Sequence, residues 1–76
     1  MSNINHVTGR QLAAARALTG LDQIKLAKLA NVSAPTLRRM EAANDVTMSN
    51  NVLAVIRALE TAGVEFINGT GVKLRT

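Results

Sequence analysis

Apolar positions recur along residues 8–62 at the three- and four-residue spacing of amphipathic helices, then change to strict alternation near the C terminus. Thr8-Gly9-Arg10-Gln11 has the form of a capping box, with a hydroxyl that accepts from the third helical amide and a glutamine that reaches back. It predicts a first helix to about Leu18, with Leu12, Ala15 and Leu18 as its buried stripe, ended by Gly20. Asp22 is placed to cap a second helix over Gln23–Ala30, whose apolar face is Leu26, Ala27 and Ala30. Asn31 then stands where the chain needs a left-handed residue, and Val32 plugs the turn. Ser33 caps a third helix with Pro35 in its first turn, where a missing N–H costs nothing, and with Leu37 and Met40 facing inward. Residues 42–48 read as a loop. Thr47 or Ser49 caps a fourth helix extending to Ala62, its core stripe Val52, Val55, Ile56 and Leu59, and Gly63 stops it.

The alternating tail predicts a hairpin, with Val64-Glu65-Phe66-Ile67 and Val72-Lys73-Leu74-Arg75 flanking Asn68-Gly69-Thr70-Gly71. Residues that face each other across the pair share a side of the sheet. Pairing Val64 with Leu74 and Phe66 with Val72 makes one side apolar and sets Glu65 opposite Lys73. A slip of one residue would oppose Phe66 to Lys73. The expected fold is therefore mainly α, with a flexible arm over 1–7, four helices over 8–63, and a short β-hairpin over 64–76.

Composition narrows the chemistry. At 76 residues there is room for one small core. There is no cysteine, and the lone His6 sits in the polar arm, so neither a zinc cluster nor thiolate chemistry is expected. The carboxylates are scattered, and no glycine-rich phosphate loop precedes a helix, so the inventory predicts neither an enzyme nor a cofactor or metal site. No apolar run reaches the roughly 20 residues of a membrane span, and no signal segment follows Met1, which predicts a soluble, cytoplasmic protein. Phe66 is the only aromatic residue, against the base-stacking surfaces of RNA and single-strand binders. Nine Lys/Arg against five Asp/Glu, a net charge of +4, fit a polyanionic partner as well as ordinary solubility, so the placement of the charges must decide.

That placement points to residues 21–41. Ala27 is small where two helices must approach closely, Asn31 supplies the turn, and Ala34, Pro35, Thr36, Arg38 and Arg39 leave the outer face of the third helix short or basic. These are the requirements of a helix-turn-helix whose second helix enters a DNA groove, although an ordinary helical hairpin shares part of the pattern. Ile24 and Leu29 are apolar at positions that look half-exposed, and read as packing variation, with a partner site as the alternative.

The blocks Arg16…Gly20-Leu21-Asp22-Gln23, Leu26-Ala27, Val32-Ser33, Thr36-Leu37 and Arg39-Met40-Glu41 resemble the lambda-repressor/Cro-type (XRE) helix-turn-helix domains over roughly residues 10–62. The tail is similar to a hairpin carried by some small bacterial members. The resemblance implies phosphate contacts from Gln23, Ser33 and Lys28, and from the polar start of the fourth helix at Ser49 and Asn50, which also reads as simple capping. It implies base contacts from Thr36 and from Arg38 or Arg39, the latter pairing with guanine. Ala34 and Pro35 depart from the long polar residues usual at those positions and offer only apolar contact to a thymine methyl. Arg16 and Glu41 match a family ion pair that locks the first helix to the end of the third.

The implied function is a sequence-specific transcription regulator that binds a double-stranded operator as a homodimer, because a single recognition helix reads too few base pairs. An isolated hairpin is marginal in water, so the tail is expected to pack on the fourth helix. Val64, Phe66, Val72 and Leu74 are expected to carry dimerisation, and removal of 64–76 to leave a folded monomer. The alternative is an antitoxin or protein-binding adaptor on the same fold, with a protein partner.

Overall fold

Thr8 opens the first helix as expected: its Oγ1 accepts from the Gln11 amide at 3.0 Å, and Gln11 Oε1 accepts from the Thr8 amide at 2.9 Å. In this computed structural model, which describes residues 6–67 and 71–75, the chain forms α1 (Gly9–Thr19), α2 (Gln23–Ala30), α3 (Ala34–Ala42), α4 (Asn50–Thr61), β1 (Val64–Ile67) and β2 (Gly71–Leu74). Asp22, Ser33 and Ser49 cap α2, α3 and α4 through side-chain oxygens, so the choice between Thr47 and Ser49 falls to Ser49. Gly20 and Gly63 end their helices at φ 76° and 107°, left-handed values that a Cβ disfavours.

The core gathers one stripe from every element: Leu12 and Ala15, Leu26 and Ala27, Leu37 and Met40, then Val52, Val55, Ile56 and Leu59. Leu18 departs from its expected place and is 42% exposed, because the last turn of α1 runs past the core. Val7 departs the other way. It is fully buried and bridges Val46, whose amide donates to the Val7 carbonyl at 3.1 Å, so the domain begins before the capping box. The arm proper, residues 1–5, lies outside the described residues, and His6 is exposed beside Asp45 at 3.2 Å.

Gly9 brings the start of α1 against the end of α3. Its amide donates to the Ala43 carbonyl at 3.0 Å, and a Cβ there would lie 2.3–2.5 Å from the carbonyl oxygens of Ala43, Glu41 and Met40. The positive end of α1 thus meets the negative end of α3, a favourable alignment of helix dipoles.

The strands pair antiparallel as Val64↔Leu74, Glu65↔Lys73, Phe66↔Val72 and Ile67↔Gly71, the register argued from the alternation. The turn residues Asn68, Gly69 and Thr70 lie outside the described residues. The hairpin packs against both α1 and α4, not α4 alone. Val64 and Phe66 are 0% and 3% exposed, each worth roughly 1.5–3 kcal/mol of burial. Gln11, also buried, donates through Nε2 to the carbonyls of Ile67 and Gly71, both at 3.2 Å. At the other end the Arg75 amide donates to the Gly63 carbonyl at 2.7 Å, and its guanidinium to the Glu60 carbonyl at the end of α4. Val64 and Phe66 of the hairpin thus belong to the same core cluster as the helices. The hairpin supplies core side chains, and its loss would open the core of the protomer.

Candidate nucleic-acid interface

α2 and α3 meet across three residues. Asn31 takes φ 58° and ψ 43°, and the Val32 amide donates back to the Ala27 carbonyl at 2.9 Å, which closes the end of α2. Ala27 is 3% exposed, and Val32 packs partly buried on the core. With Leu37 and Met40 turned inward, helical spacing leaves Pro35, Arg38 and Arg39 on one exposed face of α3, flanked by half-buried Ala34 and Thr36.

Ser33 does two things at the start of that face. Its Oγ accepts from the Thr36 amide at 3.2 Å and donates to Thr36 Oγ1 at 2.8 Å. Thr36 Oγ1 also accepts from Arg39 Nη2 at 3.3 Å. Ser33, Thr36 and Arg39 thus form a continuous ridge, one helical turn between each pair. Arg38 is exposed and makes no side-chain hydrogen bond among the described residues.

The far end of α3 is held by a second network. Glu41 accepts from Arg16 Nε at 2.8 Å, from Arg16 Nη2 at 3.0 Å and from Gln23 Nε2 at 3.0 Å, while Arg16 Nη1 donates to the Leu21 carbonyl at 3.2 Å. One carboxylate therefore ties α1, the start of α2 and the end of α3 together. The Arg16 pKa is raised, first by the hydrogen bond to Glu41 and then by the charges of Glu41 and Asp22, with partial desolvation opposing them. The guanidinium is therefore charged at any neutral pH.

Gln23 stands in the first turn of α2 but is tethered to Glu41 through its amide nitrogen, which leaves one of its two amide hydrogens for another acceptor. Lys28 is exposed on the last turn of α2, and Ser49 and Asn50 are exposed at the start of α4, where Ser49 Oγ accepts from the Val52 amide at 3.3 Å. None of these three shares a side-chain hydrogen bond with the α3 ridge. Ile24 and Leu29 are 69% and 64% exposed. Leu29 lies at the rim of an open groove of about 470 Å³ between α2 and α4, lined by Ala30, Ala54, Arg57 and Ala58.

The residues expected to carry dimerisation divide by burial: Val64 and Phe66 lie in the core, while Val72 is half-buried and Leu74 is 43% exposed. The sequence reading missed the tertiary roles of Gly9, Gln11 and Arg75. For Gln11 the capping signal was visible but its bonds to the hairpin were not, and for Gly9 the only hint was a glycine where α1 does not require one. Among the described residues no cluster of three or more His, Asp or Glu is placed to hold a metal ion, and no helix is long and apolar enough to cross a membrane.

No curated protein matches the chain. A family described as helix-turn-helix domain matches residues 8–66, from the α1 cap through the buried Phe66 of β1. That span covers most of the chain and includes both networks that hold α3, so the protein belongs to the helix-turn-helix domain family.

Proposed function

We propose that this protein is a sequence-specific transcription regulator of the lambda-repressor/Cro type, which binds duplex DNA as a homodimer with α3 in the major groove. The observation that carries the reading is the exposed face of Pro35, Arg38 and Arg39 on a helix pinned at both ends, by the Ser33 cap and by the Arg16–Glu41–Gln23 network. A rigid helix with a short, basic outer face is what a groove of the duplex admits. The net charge of +4 suits the phosphate backbone.

In this reading Arg39 and Arg38 donate to base edges, Ala34 and Pro35 touch thymine methyls, and Thr36 borders the contact. Gln23, Ser33, Lys28, Ser49 and Asn50 contact phosphates. Two-fold pairing would set half-sites about 34 Å apart, or a multiple of that. With Val64 and Phe66 turned into the core, the exposed apolar residues of the hairpin, Ile67 at 44% and Leu74 at 43%, together with half-buried Val72, are the ones left to meet a second copy. The protein works where the genome is, in the cytoplasm, and as a binder and not a catalyst.

Selection of bound sequences from random duplex DNA tests this directly. A two-fold symmetric consensus is expected, with affinity that falls steeply as salt rises. Recovery of no sequence preference would overturn it. The exposed Leu29 at the α2–α4 groove favours a second reading, an antitoxin or adaptor with a protein partner. Duplex binding with no salt dependence, or none at all, would move the weight there.

A further inference from the structure

We infer that Thr36 is a positioning residue for Arg39, and that Arg39 rather than Arg38 is the principal base-reading arginine; this rests on the DNA-binding reading above. The oxygen of Thr36 accepts from Ser33 Oγ at 2.8 Å and from Arg39 Nη2 at 3.3 Å, which occupies both of its acceptor positions. A hydroxyl so engaged keeps only its own proton for a base, so as a direct reader it can meet an acceptor but no donor. Its value to Arg39 is larger. One hydrogen of Nη2 is held at Thr36, and the guanidinium keeps its remaining donors for the paired acceptors of guanine, O6 and N7.

The ridge is anchored, not incidental. Ser33 is fixed as the α3 cap through the Thr36 amide at 3.2 Å, so the hydroxyl that donates to Thr36 is set by the helix end itself. Thr36 is half-buried, and of the two χ1 rotamers open to threonine on a helix the 2.8 Å bond to Ser33 holds one. Arg39 is thereby ordered before DNA arrives, whereas Arg38 has no such tether among the described residues. Ordering a long side chain in advance removes part of the entropy cost of docking it, an effect of about 2- to 10-fold in affinity.

The test uses the operator found by selection and its single-base variants, with wild type, T36V, T36S, R39A and the T36V/R39A double variant. T36V keeps the shape of the side chain and removes the acceptor. It is expected to weaken operator binding by about 2- to 10-fold, to relax preference at the base pair that R39A also relaxes, and to leave the salt slope unchanged. T36S should restore binding, and T36V should add nothing in the R39A background. An equal loss with and without Arg39, or relaxation at a different base pair, would show that Thr36 reads on its own and overturn the proposal. An R39A protein that keeps full base preference would overturn it while DNA binding stands, whereas failure of wild type to bind any duplex would overturn the underlying reading as well. A second measurement needs no DNA. In ¹⁵N relaxation of the free protein, the Arg39 Nε–H group should be more ordered than that of Arg38, and T36V should bring the two level. Equal mobility in wild type would overturn the proposal.

Discussion

A methyl group at Gly9 would collide with the end of α3. The Cβ of a Gly9→Ala variant would lie 2.3 Å from the Ala43 oxygen and 2.5 Å from those of Glu41 and Met40, all backbone atoms that cannot rotate away. Carbon–oxygen contacts rarely fall below about 3.3 Å, so the start of α1 and the end of α3 would have to part by roughly 1 Å. That displacement breaks the 3.0 Å bond from the Gly9 amide to Ala43, worth about 1 kcal/mol. Disturbed packing adds about 1–3 kcal/mol, and the better helix propensity of alanine returns less than about 1 kcal/mol in a first turn. The expected net loss is about 1–4 kcal/mol, a fall in melting temperature of roughly 5–30 °C for so small a domain. Thermal unfolding followed by far-UV circular dichroism reads it. Gly20→Ala is the control, since a Cβ there meets nothing within 4 Å and only the φ of +76° is strained, which costs about 1 kcal/mol. A Gly9→Ala protein that melts within about 2 °C of wild type would refute the close-approach argument.

Three further outcomes follow from the same geometry. Gln11→Leu removes the bonds to Thr8, Ile67 and Gly71 and leaves their polar groups without it, so about 2–4 kcal/mol should be lost, with hydrogen exchange accelerated first in the hairpin. Glu41→Ala leaves Arg16 without its carboxylate and should cost about 2–4 kcal/mol in denaturant unfolding, because both partners are largely withdrawn from water. Arg16's raised pKa means that its share of that stability is complete below the unfolded value and lost only as pH rises into strongly alkaline solution, so titrating Arg16 should move no melting temperature between about pH 7 and 9. At Asn31, with φ 58°, replacement by glycine should change stability by less than about 0.5 kcal/mol, whereas valine should cost about 1–2 kcal/mol by thermal melt.

Local chemistry explains what could be read in advance. Thr8, Asp22 and Ser33 bond amides three residues away, and Asn31 needs only its own backbone, so the helix limits and the turn were visible in short stretches of chain. The hairpin register followed equally well, since a strand has only two sides and a one-residue slip would expose Phe66. The outward face of α3 was legible because Leu37 and Met40 leave it nowhere else to point.

What the sequence by itself determined, then, is the four helices and the hairpin, the turn between α2 and α3, and membership of the helix-turn-helix domain family. Only the tertiary structure decided how those elements hold one another. It buried Val7, put the end of α3 against Gly9, and used Gln11 to fasten a hairpin 56 and 60 residues away. It also drew Val64 and Phe66 into the core, and tied Gln23 to the carboxylate that holds Arg16. Periodicity reports which side of an element is apolar but not which neighbour covers it, and a hydrogen bond between distant residues leaves no local signal. The composition of the exposed face of α3 is a property of the chain; the bonds that hold that helix in place are a property of the fold.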